Sequence, residues 1–187
     1  MEGNEQLAII IPMLKKVGGG IGDGQLTAPT PCRAFDVTGI LGHMTGLGSA
    51  LALGFLGTTP DGTGEATTAG ASEDPRDGFH EAMDALLEAV ESPGALDRII
   101  EGPAGPMPGS VLARLVALDG LIHGWDLATA TQQPWAPPAD IVAEADAFAR
   151  QALTSEMRGE AFAPETAPPA GAGPLERLVA FTGREVG

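Results

Sequence analysis

Cysteine is nearly absent from this chain: Cys32 is the sole one among 187 residues. That excludes an intramolecular disulfide and any cysteine cluster for a structural zinc, and a lone thiol suits a reducing cytoplasm. Tyrosine is missing and aromatic residues make up only 4 %. A core must therefore be built from Leu, Ala, Val and Ile, a palette that suits packed helices. Basic residues are scarce, 10 Lys and Arg against 25 Asp and Glu, for a formal charge of −15. No phosphate-tracking surface follows from such a balance, so nucleic acid and anionic membrane surfaces are excluded as partners; the acidity itself is explained by solubility. The N-terminus lacks a basic n-region, and the apolar run "LAIIIPM" is short and holds Pro12. It is read as neither a signal peptide nor a membrane span.

What is present is enough for one domain. The apolar share is 43 %, which supports an ordinary core. Gly and Pro are plentiful, 27 and 16, but they collect between periodic segments and so mark connections. Apolar residues at helical spacing predict a first helix over roughly Asn4 to Val17, ended by "GGGIGDG". An extended "LTAPTPCRAF" follows. Asp36 is placed to N-cap a second helix, "VTGILGHMTGLGSALALGFLG". Its glycines at 39, 42, 46 and 48 each cost about 1 kcal/mol against alanine, a cost that makes sense where a helix or ligand approaches closely. A polar loop over 57–72 leads to a third helix near Asp74. A linker with a short strand or turn precedes a fourth helix, capped by Ser110 and ended by "QQPWAPP". A fifth helix is expected from Ala139 to Thr154. A proline-rich tail, about 155–175, then wraps back to a short C-terminal helix. The expected class is all-α, a four-helix bundle with crossover connections.

The chemistry concentrates in "LDGLIHGWDLATAT". Asp119 and His123 are four apart and share one helix face, with Asp126 close to it. Such a pair can ligate one ion, and it is equally a common helix-surface ion pair. A site needs a third ligand. Of the remaining histidines, His80 beside Glu81 reads as rim or solvated. His43 sits in the most apolar helix and needs a polar partner. His43, Asp119 and His123 would then form a three-ligand set with open positions, the layout of a catalytic metal; the other reading of His43 is a satisfied core histidine. Trp125 is a core filler or a pocket wall. Asp126 orients a ligating histidine or pairs with an arginine such as Arg150 or Arg177. Cys32, with no histidine nearby in sequence, is a small hydrophobe in a linker. "GGGIGDG" lacks the flanking elements of a phosphate loop, and there is no nucleophile elbow around a serine.

"LTAPTPCRAFDVTGILGHMTG" and "LDGLIHGWDLATAT" together resemble the DinB-like superfamily, in the branch of the mycothiol-dependent maleylpyruvate isomerase metal-binding domain. The closing "RGEAFAPETAPPAGAGPLERLVAFTGR" is similar to that of single-domain members. The resemblance implies a DinB-like four-helix bundle with long crossovers and short extra C-terminal helices. It implies a divalent metal, zinc first and nickel, iron or manganese as alternatives, on His43, Asp119 and His123, with Trp125 and Asp126 in support. It implies a small-molecule thiol such as mycothiol as cosubstrate, an electrophile as the second substrate and a cytoplasmic setting, and it leaves a homodimer open. Asp119 stands where the isomerase proper has Glu, and Phe35 where many relatives have Trp. No further C-terminal domain follows, so the expected activity is thiol transfer or an isomerase-like reaction rather than maleylpyruvate isomerisation. The alternative is a bundle that binds metal or ligand without the reaction.

Overall fold

The computed structural model describes residues 1–58, 74–102, 105–153, 158 and 162–186. Its elements run α1 (Gly3–Gly19), α2 (Val37–Leu56), α3 (Pro75–Glu91), β1 (Ile99–Gly102), β2 (Gly105–Pro108), α4 (Gly109–Thr131), α5 (Ala139–Ala152) and α6 (Pro174–Phe181). Most of the expected polar loop, Thr154 at the predicted end of the fifth helix, and part of the proline-rich tail lie outside the described residues.

The four long helices form the bundle: α1 packs on α3 and α4, and α2 on α3 and α4. Their apolar stripes meet in a core that includes Leu7, Ile10, Leu14, Ile40, Phe79 and Leu118. Among the described residues the fold is thus all-α apart from one antiparallel hairpin, in which Ile99 pairs with Pro108 and Gly102 with Gly105. Asp36 caps α2 as its position predicts, accepting from Gly39 N at 2.7 Å. Ser110 does not cap α4. The hairpin runs directly into that helix, which starts at Gly109 with Pro108 before it, and Gly109 N donates to Arg98 O at 2.7 Å. The first turn is therefore tied to the hairpin, and Ser110 lies inside it.

α4 is apolar on almost every side because it is the bundle's central helix. Gly124 makes room for a tryptophan: a Cβ there would lie 2.3 Å from the Trp135 ring. The glycines of α2 divide. Gly48 is needed for close approach, since its Cβ would meet Met83 at 2.8 Å, whereas Gly42 and Gly46 have no neighbour within 4 Å among the described residues. Among those residues α2 is the one helix long and apolar enough to cross a bilayer by length and composition. In this structure its Val37, Ile40, Leu41, Met44 and Phe55 are buried in the bundle, which fixes His43 toward α4. After α5, α6 packs against that helix, and the chain continues to Arg184.

Candidate metal centre

Three helical turns bring the predicted ligands together. His43 comes from the middle of α2, Asp119 and His123 from successive turns of α4. Their ligand atoms all lie within 4.8 Å of one another. Asp119 bridges the pair: one carboxylate oxygen is 3.5 Å from His43 Nε2 and the other 3.5 Å from His123 Nε2. The shorter acid side chain at 119 therefore reaches both imidazoles. His80 is elsewhere, on α3 with its ring edge against Phe79 at 5.6 Å.

The spacing bears on what the group can hold. A separation of 3.5 Å is long for an N–H···O hydrogen bond, whose mode is about 2.9–3.0 Å. It is close to the roughly 3.3 Å edge of a tetrahedron whose ligands sit about 2.0–2.1 Å from a zinc ion. His43 Nε2 is sealed from solvent and makes no well-formed hydrogen bond. On His123 the other nitrogen, Nδ1, lies 3.0 Å from Asp126 Oδ2. A carboxylate can only accept there, so in the neutral imidazole the proton sits on Nδ1 and the Nε2 lone pair points at Asp119. In that tautomer two acceptors face each other, an arrangement that fits a cation. The donor set of two imidazoles and a carboxylate fits a divalent metal of the zinc type.

Electrostatics agree with a paired cluster. The Asp119 carboxylate holds the His43 imidazole above its ordinary value of 6.5, against the opposing effect of burial. For Asp119 burial works to raise the value, but the charges of His123, His43 and Arg184 and the His43 contact hold it below 3.8.

Behind His123 stands a buried chain of charges. Asp126 is fully buried and takes Arg184 Nη2 at 2.9 Å and Nε at 3.3 Å, while Nη1 donates to Thr182 O at 3.2 Å. Asp126 therefore both orients a histidine and pairs with an arginine. The arginine is neither of those expected: Arg150 pairs with Asp146 and Arg177 bonds Ala172 O. Arg184 is 58 positions from its partner, and no local spacing could have pointed to it. Trp125 does not line the cavity over the cluster; it is half-buried and packs on the core.

That cavity is about 300 Å³ and reaches from the cluster to the surface. Thr30 holds the turn that carries two of its lining residues, donating to Phe35 O at 2.6 Å and accepting from Cys32 N at 3.2 Å. This turn lays Phe35 on His43, stacked at 5.3 Å between centroids, with His123 edge-on at 6.3 Å. It also brings Cys32 to the cavity wall, its sulfur within 4.8 Å of ligand atoms of His123 and Asp126. Cys32 packs part-buried against the core, as expected of a small hydrophobe, and also lines the cavity. The fold supplies the nearby histidine that the local sequence lacks, and the "TPC" before the aromatic was the signal available.

The fold is a helical bundle, and this cluster is a His/Asp/His group that could hold a divalent metal ion beside an apolar cavity. The family model described as "Mycothiol maleylpyruvate isomerase N-terminal domain" matches residues 12–128, more than half of the chain. The chain belongs to that family, and the matched span includes His43, Asp119, His123 and Asp126. It is similar to two Mycobacterium tuberculosis proteins, "Uncharacterized protein Rv0738" of strain H37Rv and "Uncharacterized protein MT0763" of strain CDC 1551. Each is 32 % identical over 168 residues, covering 87 % of this chain and 86 % of the relative. No solved structure gives a significant match.

Proposed function

We propose that this chain is a cytoplasmic, divalent-metal-dependent thiol transferase or isomerase-like enzyme. In this reading His43, Asp119 and His123 hold the ion, zinc first among the candidates. The cavity above them brings a low-molecular-weight thiol of the mycothiol type to an electrophile. A divalent ion in that place supplies Lewis acidity toward the thiol sulfur and lowers its pKa.

The protein's own residues have separable tasks. Asp126 fixes the Nδ1–H tautomer of His123 and so keeps Nε2 free to ligate. Arg184 neutralises the Asp126 carboxylate, which carries no solvent exposure of its own. Phe35 covers the His43 ring and, with the leucines of α2 and α4, excludes water from the reacting end. Among the described residues that line the cavity, no separate general base is assigned.

The observation that carries this reading is the pair of 3.5 Å separations around Asp119, together with a His43 Nε2 that is sealed from solvent and makes no well-formed hydrogen bond. Elemental analysis of the purified protein tests the centre, and a thiol-consumption assay with mycothiol and a panel of electrophiles tests the reaction. Stoichiometric metal and metal-dependent turnover are expected. Absence of metal with an unchanged melting temperature on adding zinc would overturn the reading. Metal without turnover on mycothiol, bacillithiol or glutathione would leave a binding protein in place of an enzyme.

A further inference from the structure

A cleft leads away from the cluster between α2 and α4. The two helices run antiparallel there. α2 ends at the hairpin, where a Cβ on Gly54 would lie 2.6 Å from the Ile100 side chain, and the hairpin leads straight into α4 at Gly109. From the cluster toward the hairpin, α2 therefore presents Leu47 and Leu51 after His43. Over the same stretch α4 presents Val116, Leu115 and Leu112 ahead of Asp119, and all five line the cavity. These positions recur at three- and four-residue intervals, so each set keeps to one face of its helix. Both helices thus carry apolar wall for about two turns, roughly 10–12 Å along the axis.

Leu51, Leu112 and Val116 are buried and Leu47 and Leu115 half-buried, in a cavity of about 300 Å³. That volume stands at the lower end of the roughly 300–1,000 Å³ of small-molecule pockets. Water gains few hydrogen bonds along such a wall, whereas an apolar chain gives up none by entering it. Polarity belongs to the other end, where His43, Asp119 and His123 stand. The reacting group, with whatever charge it carries, faces that end and an ion held there; the wall toward the hairpin suits carbon. An extended chain advances about 1.2 Å per bond, so beyond about 3 Å for the reacting atom an arm of roughly six or seven carbons reaches Leu51 and Leu112.

We infer that the electrophile taken by this site carries an apolar arm of about six or seven carbons, laid between α2 and α4 with the reacting atom at the cluster, and that Leu51 and Leu112 limit its length. The fit of the arm stands on the wall alone. Its assignment to the electrophile rests on the proposed thiol chemistry, in which a hydrophilic thiol of the mycothiol type supplies no such chain. The 1,2-epoxyalkanes from epoxybutane to epoxydecane test that assignment, with zinc-loaded protein saturated in mycothiol. The thiol sulfur forms the C–S bond with its own electron pair, and the C–O bond breaks with its pair going to oxygen. The alkoxide takes up the proton that the thiol gave up, and nothing is oxidised or reduced overall. The value of kcat/KM should rise about two- to fourfold per methylene and stop rising once the arm reaches about six or seven carbons. A series that is flat, or that falls with length, overturns the inference.

Binding of the straight-chain 1-alkanols, butanol to decanol, to the same loaded protein by isothermal titration calorimetry does not depend on turnover. Affinity should climb with the same slope and level off at a similar chain length. If no epoxide reacts, the thiol-transfer reading fails, and the alkanol series still decides whether the cleft takes a chain. Alkanol affinity that does not change with length overturns the inference. Epoxides that turn over without regard to length, beside alkanols that show the slope, would move the arm to the thiol and overturn its assignment. Leu51→Trp and, on the half-buried edge of the wall, Leu115→Trp each fill part of the cleft. Either should bring the levelling-off forward by about two carbons or more with zinc content unchanged. A zinc-replete variant that levels off at the parent's length would place the chain elsewhere and equally overturn the inference.

Discussion

Arg184→Met removes the cation from a carboxylate that has no solvent to fall back on. Asp126 is fully buried, and Arg184 meets it through Nη2 at 2.9 Å and through Nε at 3.3 Å. Methionine fills much of the arginine volume, so the perturbation is electrostatic first and steric second. Breaking a buried pair from one side costs about 3–5 kcal/mol, because the remaining charge is left without compensation. For a chain of this length 1 kcal/mol moves the melting temperature by about 2–4 °C, so metal-free Arg184→Met should melt roughly 6–20 °C lower. Adding Asp126→Leu removes the stranded carboxylate and should recover most of that loss. It should not recover metal affinity, because His123 Nδ1 has then lost its acceptor. Loss of such an outer partner weakens metal binding by roughly 10–100-fold. The assays are thermal denaturation of metal-free protein and zinc affinity by competition with a chelator. A single variant melting within about 2 °C of the parent, or a double variant with parental zinc affinity, would refute the coupling of the C-terminal segment to the centre.

His43→Ala should abolish stoichiometric zinc uptake while leaving the helical circular-dichroism spectrum unchanged; normal zinc content would remove His43 from the ligand set. The pH dependence should differ in sign with and without metal. In metal-free protein the raised His43 value gives stability that is complete below 6.5 and is lost as pH rises through the shifted value. The depressed Asp119 value gives stability present above 3.8 and lost as pH falls through its shifted value. Zinc requires His43 without its proton, so the gain in melting temperature on adding zinc should grow over the same rise above 6.5. Parallel curves with and without zinc would contradict this. Gly124→Ala puts a methyl where Trp135 lies 2.3 Å away. That overpacking should cost about 1–3 kcal/mol, read as a fall of roughly 2–12 °C in melting temperature. Asp36→Ala removes the α2 cap and should cost about 1 kcal/mol in a denaturant titration.

Much of this architecture could be read from local pattern, because local pattern is what helix caps and helix faces are made of. Asp36 and the apolar repeat after it located α2. The i, i+4 relation put Asp119 and His123 on one face, and the apolar setting of His43 pointed it inward. What could not be read depends on contacts distant along the chain. Arg184 reaches Asp126 from beyond α6, and no spacing rule links the two. Cys32 gains its histidine neighbour only when the Thr30 turn folds against α4. α4 starts at Gly109, ahead of the expected Ser110 cap, because the preceding hairpin engages its first turn. Trp125 follows the bland alternative and packs on the core, while Trp135 crosses α4 at Gly124.

The most direct measurement is zinc K-edge X-ray absorption on the protein loaded with zinc in a thiol-free buffer. Ligation by His43, Asp119 and His123 gives a first shell of nitrogen and oxygen at about 2.0–2.1 Å, with the outer-shell scattering of two imidazoles and no sulfur. A sulfur shell at about 2.3 Å would instead make Cys32 a ligand, and a single imidazole would take one histidine out of the set; either result would contradict the His/Asp/His centre.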